Sequence, residues 1–203
     1  IIKISKNDNG IFSLFSEKEE FKNFDYVLIC IPYPQSKELS KEFINFTKMV
    51  NDPSYEPIHT VMLSYKDINN INIKAGLNLH KDISFFMNQN IKFNELSDDC
   101  WVLNMSSEYT KNNISIDKSD LEKYAQSIFE KTFGIKNEIS FIKSHRWLFA
   151  QTKVSYNSIS KKNWINSKDN KLFLSGDWVI GKSLSDAWDA GEKLSHYIKI
   201  LSV

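Results

Sequence analysis

Glycine, proline and cysteine are all scarce in this chain, and each shortage narrows what it can be. Six glycines and four prolines in 203 residues leave no room for a linker-like or low-complexity segment. Two cysteines, Cys30 and Cys100, are too few for a disulfide framework. Both lie in apolar runs, Leu28-Ile-Cys-Ile31 and Cys100-Trp-Val-Leu103, which points to two reduced, buried thiols. An excess of one charge is missing as well. The 26 Lys and Arg residues against 25 Asp and Glu give a net charge of +1, which argues against a nucleic-acid or membrane partner. No apolar run approaches a membrane span, and no secretory segment opens the chain, so the expected location is the cytoplasm. No Cys/His/Asp spacing suggests a set of metal ligands.

What remains is an ordinary globular composition, 41% apolar and 25% charged, long enough for one large domain or two small ones. Apolar pieces on either side of Lys6-Asn-Asp-Asn-Gly10 read as a hairpin with a longer loop. Asp25-Tyr-Val-Leu-Ile-Cys-Ile31 is a nearly continuous apolar run. It fits a strand covered on both faces, as in a parallel sheet, stopped by Pro32 and Pro34. A helix is expected over 36–49, and a strand over 59–65. Between 66 and 99 the pattern gives short strands joined by loops. Trp101, Leu103 and Met105 alternate on one strand face.

The clearest helix spans 117–133, with Asp117 at its N-cap, Leu121, Tyr124, Ala125, Ile128 and Phe129 at helical spacing, and Gly134 at its end. A strand over 139–150 carries His145-Arg-Trp-Leu-Phe149. A polar surface excursion over 151–170 with Trp164 tucked in, a short strand over 172–174 and a closing helix over 184–200 complete the chain. Leu184, Ala187, Trp188, Gly191, Leu194, Tyr197 and Ile198 form that last helix's expected inner face. The alternation of strands and helices without βαβ regularity predicts a mixed α/β, or α+β, fold.

Three of the six glycines fall between Gly176 and Gly191. Gly176-Asp177-Trp178 follows the short strand and enters a helical stretch. A carboxylate beside a glycine turn at a helix entrance suits a polar, hydroxyl-rich ligand. It also suits a simple helix cap, and position alone leaves both open.

Four pieces together resemble one family. They are Tyr26-Val-Leu-Ile-Cys-Ile-Pro-Tyr-Pro-Gln35, Trp101-Val-Leu-Asn-Met-Ser-Ser-Glu-Tyr109, His145-Arg-Trp-Leu-Phe-Ala150, and Ser175-Gly-Asp-Trp178 followed by Ala187-Trp188 and Gly191. In order and spacing they are similar to the renalase-like branch of the flavin-containing amine oxidases, the NAD/FAD-dependent oxidoreductases. The resemblance implies a substrate-binding domain with a mixed sheet over 36–170, and the C-terminal parts of a Rossmann-like FAD domain over 1–35 and 171–203. The family's glycine-rich diphosphate fingerprint is absent, since no Gly-x-Gly-x-x-Gly occurs anywhere. The chain therefore corresponds to a C-terminal portion that lacks the part holding the ADP half of FAD. FAD is expected in a complete member, and little or none on this chain alone.

The resemblance implies cofactor contacts from Pro32, Gly176, Asp177, Trp178, Ala187 and Gly191, and a substrate pocket near His145, Arg146, Trp147 and Phe149. It implies oxidation of a small amine or a dihydronicotinamide-like molecule by hydride transfer to flavin. Each residue has a structural reading beside it. Ala187 and Gly191 suit close helix packing, Trp178 and Trp188 suit packing of the last helix, and Trp147 and Phe149 suit the core. No acid–base pair stands out as catalytic. Departures weaken the match: Leu184 and Ser185 stand where the family has Val-Glu, and its Ser-Lys-Pro stretch is replaced near Asn88-Gln-Asn-Ile-Lys-Phe93. The rival expectation is a truncated, non-catalytic fragment that binds a small molecule or a protein, as a homodimer or with a missing FAD-binding part.

Overall fold

The structure, a computed structural model, describes residues 1–48, 52–66, 68, 71–93, 95–156 and 163–201. The elements run β1 (Lys3–Lys6), β2 (Phe12–Phe15), β3 (Glu20–Phe24), β4 (Val27–Ile29), α1 (Tyr33–Ser40), β5 (Ser54–Tyr65), β6 (Ala75–His80) and β7 (Ile83–Asn88). They continue with β8 (Asp99–Met105), α2 (Ser107–Asn112), α3 (Lys118–Phe133), β9 (Ile139–Val154), β10 (Ile165–Asn166), β11 (Leu172–Leu174), α4 (Asp177–Ile180) and α5 (Leu184–Leu201). The chain forms two compact units, one of residues 1–55 and 152–203, the other of residues 56–151.

The first unit holds two small sheets, β1-β2-β3 and β10-β11-β4. The hairpin β1–β2 is antiparallel, as expected, and Gly10 closes its loop at φ +79°, where a side chain would be strained. β3 was not legible, because all five of its residues are exposed and carry no alternation. β4 and β11 pair in parallel, Leu172 to Val27 through Leu174 to Ile29. That pair is all the parallel pairing shown among these small sheets, and the remaining pairings described are antiparallel. A broad parallel sheet is therefore not what this chain builds. The apolar run at β4 is also covered on one face only. Val27 and Ile29 are buried, while Leu28 is 45% exposed and Cys30 is exposed too. β11, in the middle of its sheet, is buried throughout. Ile4, Phe12, Val27, Ile29, Tyr33, Ile44, Leu172, Leu174, Trp178 and Val179 form this unit's core.

Two helices of this unit differ from expectation. α1 begins at Tyr33, ahead of the expected Ser36, because Pro32 takes the N-cap and Pro34 lies in the first turn, where a fixed φ and a missing N–H cost nothing. It ends at Ser40, and a separate 3-10 turn occupies Phe46–Lys48; the expected end at Met49 lies outside the described residues. α5 spans the expected segment, and its expected inner face holds in part. Leu194 is buried, with Ala190 beside it, and Ala187, Tyr197 and Ile198 are half-buried, whereas Leu184 and Trp188 are 88% and 75% exposed. Trp164 is tucked in as expected, stacked on Tyr197 of α5 with ring centroids 4.7 Å apart. The strand before it runs on to Val154, and the stretch 157–162 of the expected excursion lies outside the described residues.

The second unit is a five-stranded sheet, β6-β7-β8-β5-β9, with α3 against one face. Trp101, Leu103 and Met105 alternate inward on β8, as do Val61, Leu63 and Tyr65 on β5, to meet Leu121, Ala125 and Phe129 of α3. The last three lie at i, i+4 and i+8, one stripe of a helix. Gly134 ends α3 at φ +65° with its N–H on the Glu130 carbonyl. Asp117 occupies the N-cap, but its carboxylate makes no capping bond. Cys100 is half-buried and unpaired. No helix among the described residues is long and apolar enough to cross a membrane.

Candidate functional site

β4 and β11 run side by side, and each ends in a helix. After β11 the ladder continues for one residue, with the Ser175 N–H on the Ile29 carbonyl at 3.1 Å. Gly176 then turns the chain at φ 150°. A Cβ there would lie 3.0 Å from the Trp178 indole nitrogen, so a bare backbone is required. Trp178 folds inward. Its indole N–H donates to the Ile31 carbonyl at 3.0 Å, and its ring packs on Tyr33 with centroids 5.1 Å apart. The Ser36 hydroxyl donates to the same carbonyl at 2.8 Å. The end of β4, Pro32 and the Gly176-Asp177-Trp178 turn are thus brought together at the C-terminal ends of two parallel strands, the position where open α/β sheets take ligands.

Polar groups at this point are sparse and specific. Thr152 donates its hydroxyl to Asp177 Oδ2, and the Oδ1 atom has no partner among the described residues. The buried Ser175 hydroxyl also lacks one. The Tyr33 N–H donates to the Tyr55 hydroxyl at 2.8 Å. Burial pushes both phenols up to about 12, and for Tyr33 the hydrogen bond to Asp52 adds to it. The Asp52 carboxyl is held below its ordinary range by that phenol and by Lys37. Thr152, Ser175 and Tyr55 were not foreseen. Thr152 is separated from Asp177 by 25 residues, and no spacing rule reaches so far.

The rest of the expected cofactor set is placed differently. Trp178 is a core residue of its unit. After α4, Ser183 and Asp186 cap α5 reciprocally: the Ser183 N–H donates to Asp186 Oδ2 at 2.8 Å and the Asp186 N–H to the Ser183 hydroxyl at 3.2 Å. Gly181 makes room for that carboxylate, since a Cβ there would collide with it. Ala187 is half-buried, and a Cβ on Gly191 would meet nothing within 4 Å. Close helix packing is therefore not the reason for Gly191, and Trp188 does not pack the helix. Leu184, Trp188 and Gly191 share an uncovered stripe.

In the second unit, period-two alternation divides the His145-Arg146-Trp147-Phe149 cluster. His145, Trp147 and Phe149 share one face of β9, with the His145 and Trp147 rings 4.2 Å apart. Trp147 is 52% exposed, which removes it from the core. Arg146 is on the other face, its guanidinium 3.4 Å from the Ile116 carbonyl ahead of α3.

The glycine turn, the half-satisfied Asp177 carboxylate and the partnerless Ser175 hydroxyl fit the hydroxyl-bearing stretch of a dinucleotide such as FAD. Nothing in the chain matches the glycine-rich strand–turn–helix that a diphosphate requires. A cavity of about 1360 Å³ in the first unit, lined in part by Lys6, Tyr33, Lys37, Asp52 and Asp169, is lined by none of Ser175, Gly176 and Asp177. No cluster of His, Cys, Asp and Glu among the described residues could hold a metal ion.

No protein-family model matches the chain. Its fold is similar to the crystal structure of a putative protoporphyrinogen oxidase from Exiguobacterium sp. 255-15, with a TM-score of 0.66 at 16% identity. The likeness is one of fold. It takes in 98% of this chain and 46% of that one, so the chain spans less than half the length of that relative.

Proposed function

We propose that this chain is the C-terminal part of an FAD-dependent oxidoreductase of the renalase and amine-oxidase type. In this reading the unit of residues 1–55 and 152–203 is a remnant of the FAD-binding domain, and residues 56–151 belong to the substrate domain. The observation that carries the reading is the meeting of Pro32 with Gly176 and Asp177 at the ends of a parallel strand pair. The description of the structural relative as an oxidase supports it. Asp177 and the backbone at Gly176 would hold the hydroxyl-bearing part of FAD. His145, Trp147 and Phe149 would line the substrate side, and Arg146 would act from the other face of β9. The flavin, when bound, would accept hydride from a small amine or a dihydronicotinamide-like substrate. The protein's part would be to orient that substrate and exclude water.

The test titrates this chain with FAD, alone and together with a separately supplied glycine-rich dinucleotide-binding domain, and records the visible spectrum. A flavin spectrum that is lost in Asp177→Ala supports the reading. A colourless protein that gains no flavin on titration overturns it.

A second reading is a non-catalytic module that binds a protein, and the exposed Leu28 of β4 and the exposed Leu184 and Trp188 of α5 favour it. A chain that sediments as a monomer at high concentration and captures no partner counts against it.

A further inference from the structure

His59 is the most completely enclosed polar side chain of the second unit that has nothing to bond to. It lies on β5 with no exposed surface, and neither Nδ1 nor Nε2 has a hydrogen-bond partner among the described residues. Its backbone is fixed, with the His59 N–H on the Thr110 hydroxyl at 3.2 Å. A buried imidazole with two empty nitrogens carries a desolvation cost that native structures ordinarily relieve with a partner.

A cavity of about 250 Å³ adjoins that ring. It is lined by His59, Ile116, Lys118, Leu121, Ser144, His145 and Arg146. No acidic residue is among them. Arg146 and Lys118 bring two fixed positive charges from β9 and α3. Glu122 adjoins the cavity through Ser144: its Oε1 accepts the Ser144 N–H and hydroxyl, each at 2.8 Å. Among the described residues the guanidinium makes one long bond, to the Ile116 carbonyl. The cavity is larger than one small ion needs.

We propose that this cavity is a binding site for a phosphate-class oxyanion, with the His59 ring N–H, the Arg146 guanidinium and the Lys118 ammonium as its donors. Arg146 suits such an ion because its planar fork makes paired, charge-assisted bonds. The site lies within the second unit and is independent of any flavin, so it stands whether or not the oxidoreductase reading does.

The test uses the chain as it is, with ¹⁵N-labelled histidine, titrated with inorganic phosphate at ionic strength held constant with sodium chloride. The expected result is a saturable shift of the His59 ring resonances and a rise in melting temperature. Lys118→Gln and Arg146→Gln should each weaken binding about tenfold or more, the loss of one charge-assisted bond. Lys118 and Arg146 are both exposed, so both variants keep the fold. Glycerol 3-phosphate titrated in parallel separates the sources: tighter binding than the free ion identifies a phosphate ester, weaker binding the ion itself. Phosphate that leaves the His59 resonances unmoved, or that binds Lys118→Gln and Arg146→Gln as tightly as the unaltered chain, overturns the proposal.

Discussion

Trp178 donates its indole N–H to the backbone carbonyl of Ile31 across 3.0 Å and so ties the turn after β11 to the end of β4. The bond joins residues 147 positions apart. It fixes the spacing of the two chain ends that frame Pro32 and Asp177, while the ring fills the core between Tyr33 and Val179.

That arrangement makes Trp178 a residue of stability before it is one of binding. Trp178→Phe keeps most of the apolar contact and loses the hydrogen bond, at a cost of about 1 kcal/mol. Trp178→Ala also opens a cavity and should cost about 3–5 kcal/mol. Urea unfolding followed by far-UV circular dichroism reads both. Equal losses in the two variants would show that the bond, and not the ring's volume, holds the turn.

Gly181 precedes α5 and Gly191 lies within it, and the two should respond oppositely to alanine. Gly181→Ala drives a Cβ into the Asp186 carboxylate and disturbs the Ser183–Asp186 cap, at a cost of about 1 kcal/mol. Gly191→Ala adds a methyl group into open space on a helix and should stabilise by up to about 1 kcal/mol. Thermal melts of the two variants measure both effects.

Leu184 and Trp188 make the contrast with a core position. Leu184→Lys and Trp188→Glu should each change stability by less than about 0.5 kcal/mol, the range for surface sites without partners, whereas Leu194→Ala should cost about 2–5 kcal/mol. Unfolding midpoints decide it. A large loss at Trp188 would mean that the stripe is covered in solution.

These positions show why the helix was readable and its inner face only in part. α5 carries apolar residues on more than one side, and the sequence marks Leu184, Ala187, Trp188, Gly191, Leu194, Tyr197 and Ile198 as the inner face. The structure buries Leu194 of these, with Ala190 beside it, half-buries Ala187, Tyr197 and Ile198, and leaves Leu184, Trp188 and Gly191 exposed. A sequence reports which side chains are apolar but not which of them the fold covers. The same limit applies at β4, where Leu28 belongs to a run that reads as doubly covered and has cover on one face. α3 was legible in full because Leu121, Ala125 and Phe129 form a single stripe whose partner sheet is in the chain. At the candidate site, Gly176 and Asp177 were marked by local spacing. Thr152, Tyr55 and His59 were not, because their meaning comes from neighbours distant in sequence or from an empty space beside the ring.

His59 gives the stability of the second unit a pH dependence of definite sign. Burial, and then the positive charge of Arg146, hold its folded-state pKa below the ordinary value. Lys118 of α3 also lines the cavity, as do His145 and Ser144 of β9, and the Glu122 carboxylate of α3 is bonded to Ser144. Above the unfolded value of about 6.5 the ring is neutral in both states and contributes no penalty. As the pH falls below about 6.5, the unfolded chain takes up a proton that the folded ring refuses. Stability is lost at up to about 1.4 kcal/mol per pH unit, until the folded pKa is passed. The measurement is urea unfolding in chloride buffers without phosphate at about pH 7.5 and about pH 5.5, for the unaltered chain and for His59→Gln. Carboxylates titrate alike in both proteins, so the difference between the two pH slopes reports His59 alone. It should be positive, with the unaltered chain losing more on acidification. Saturating phosphate should shrink the difference, since an oxyanion beside the ring favours its protonated form.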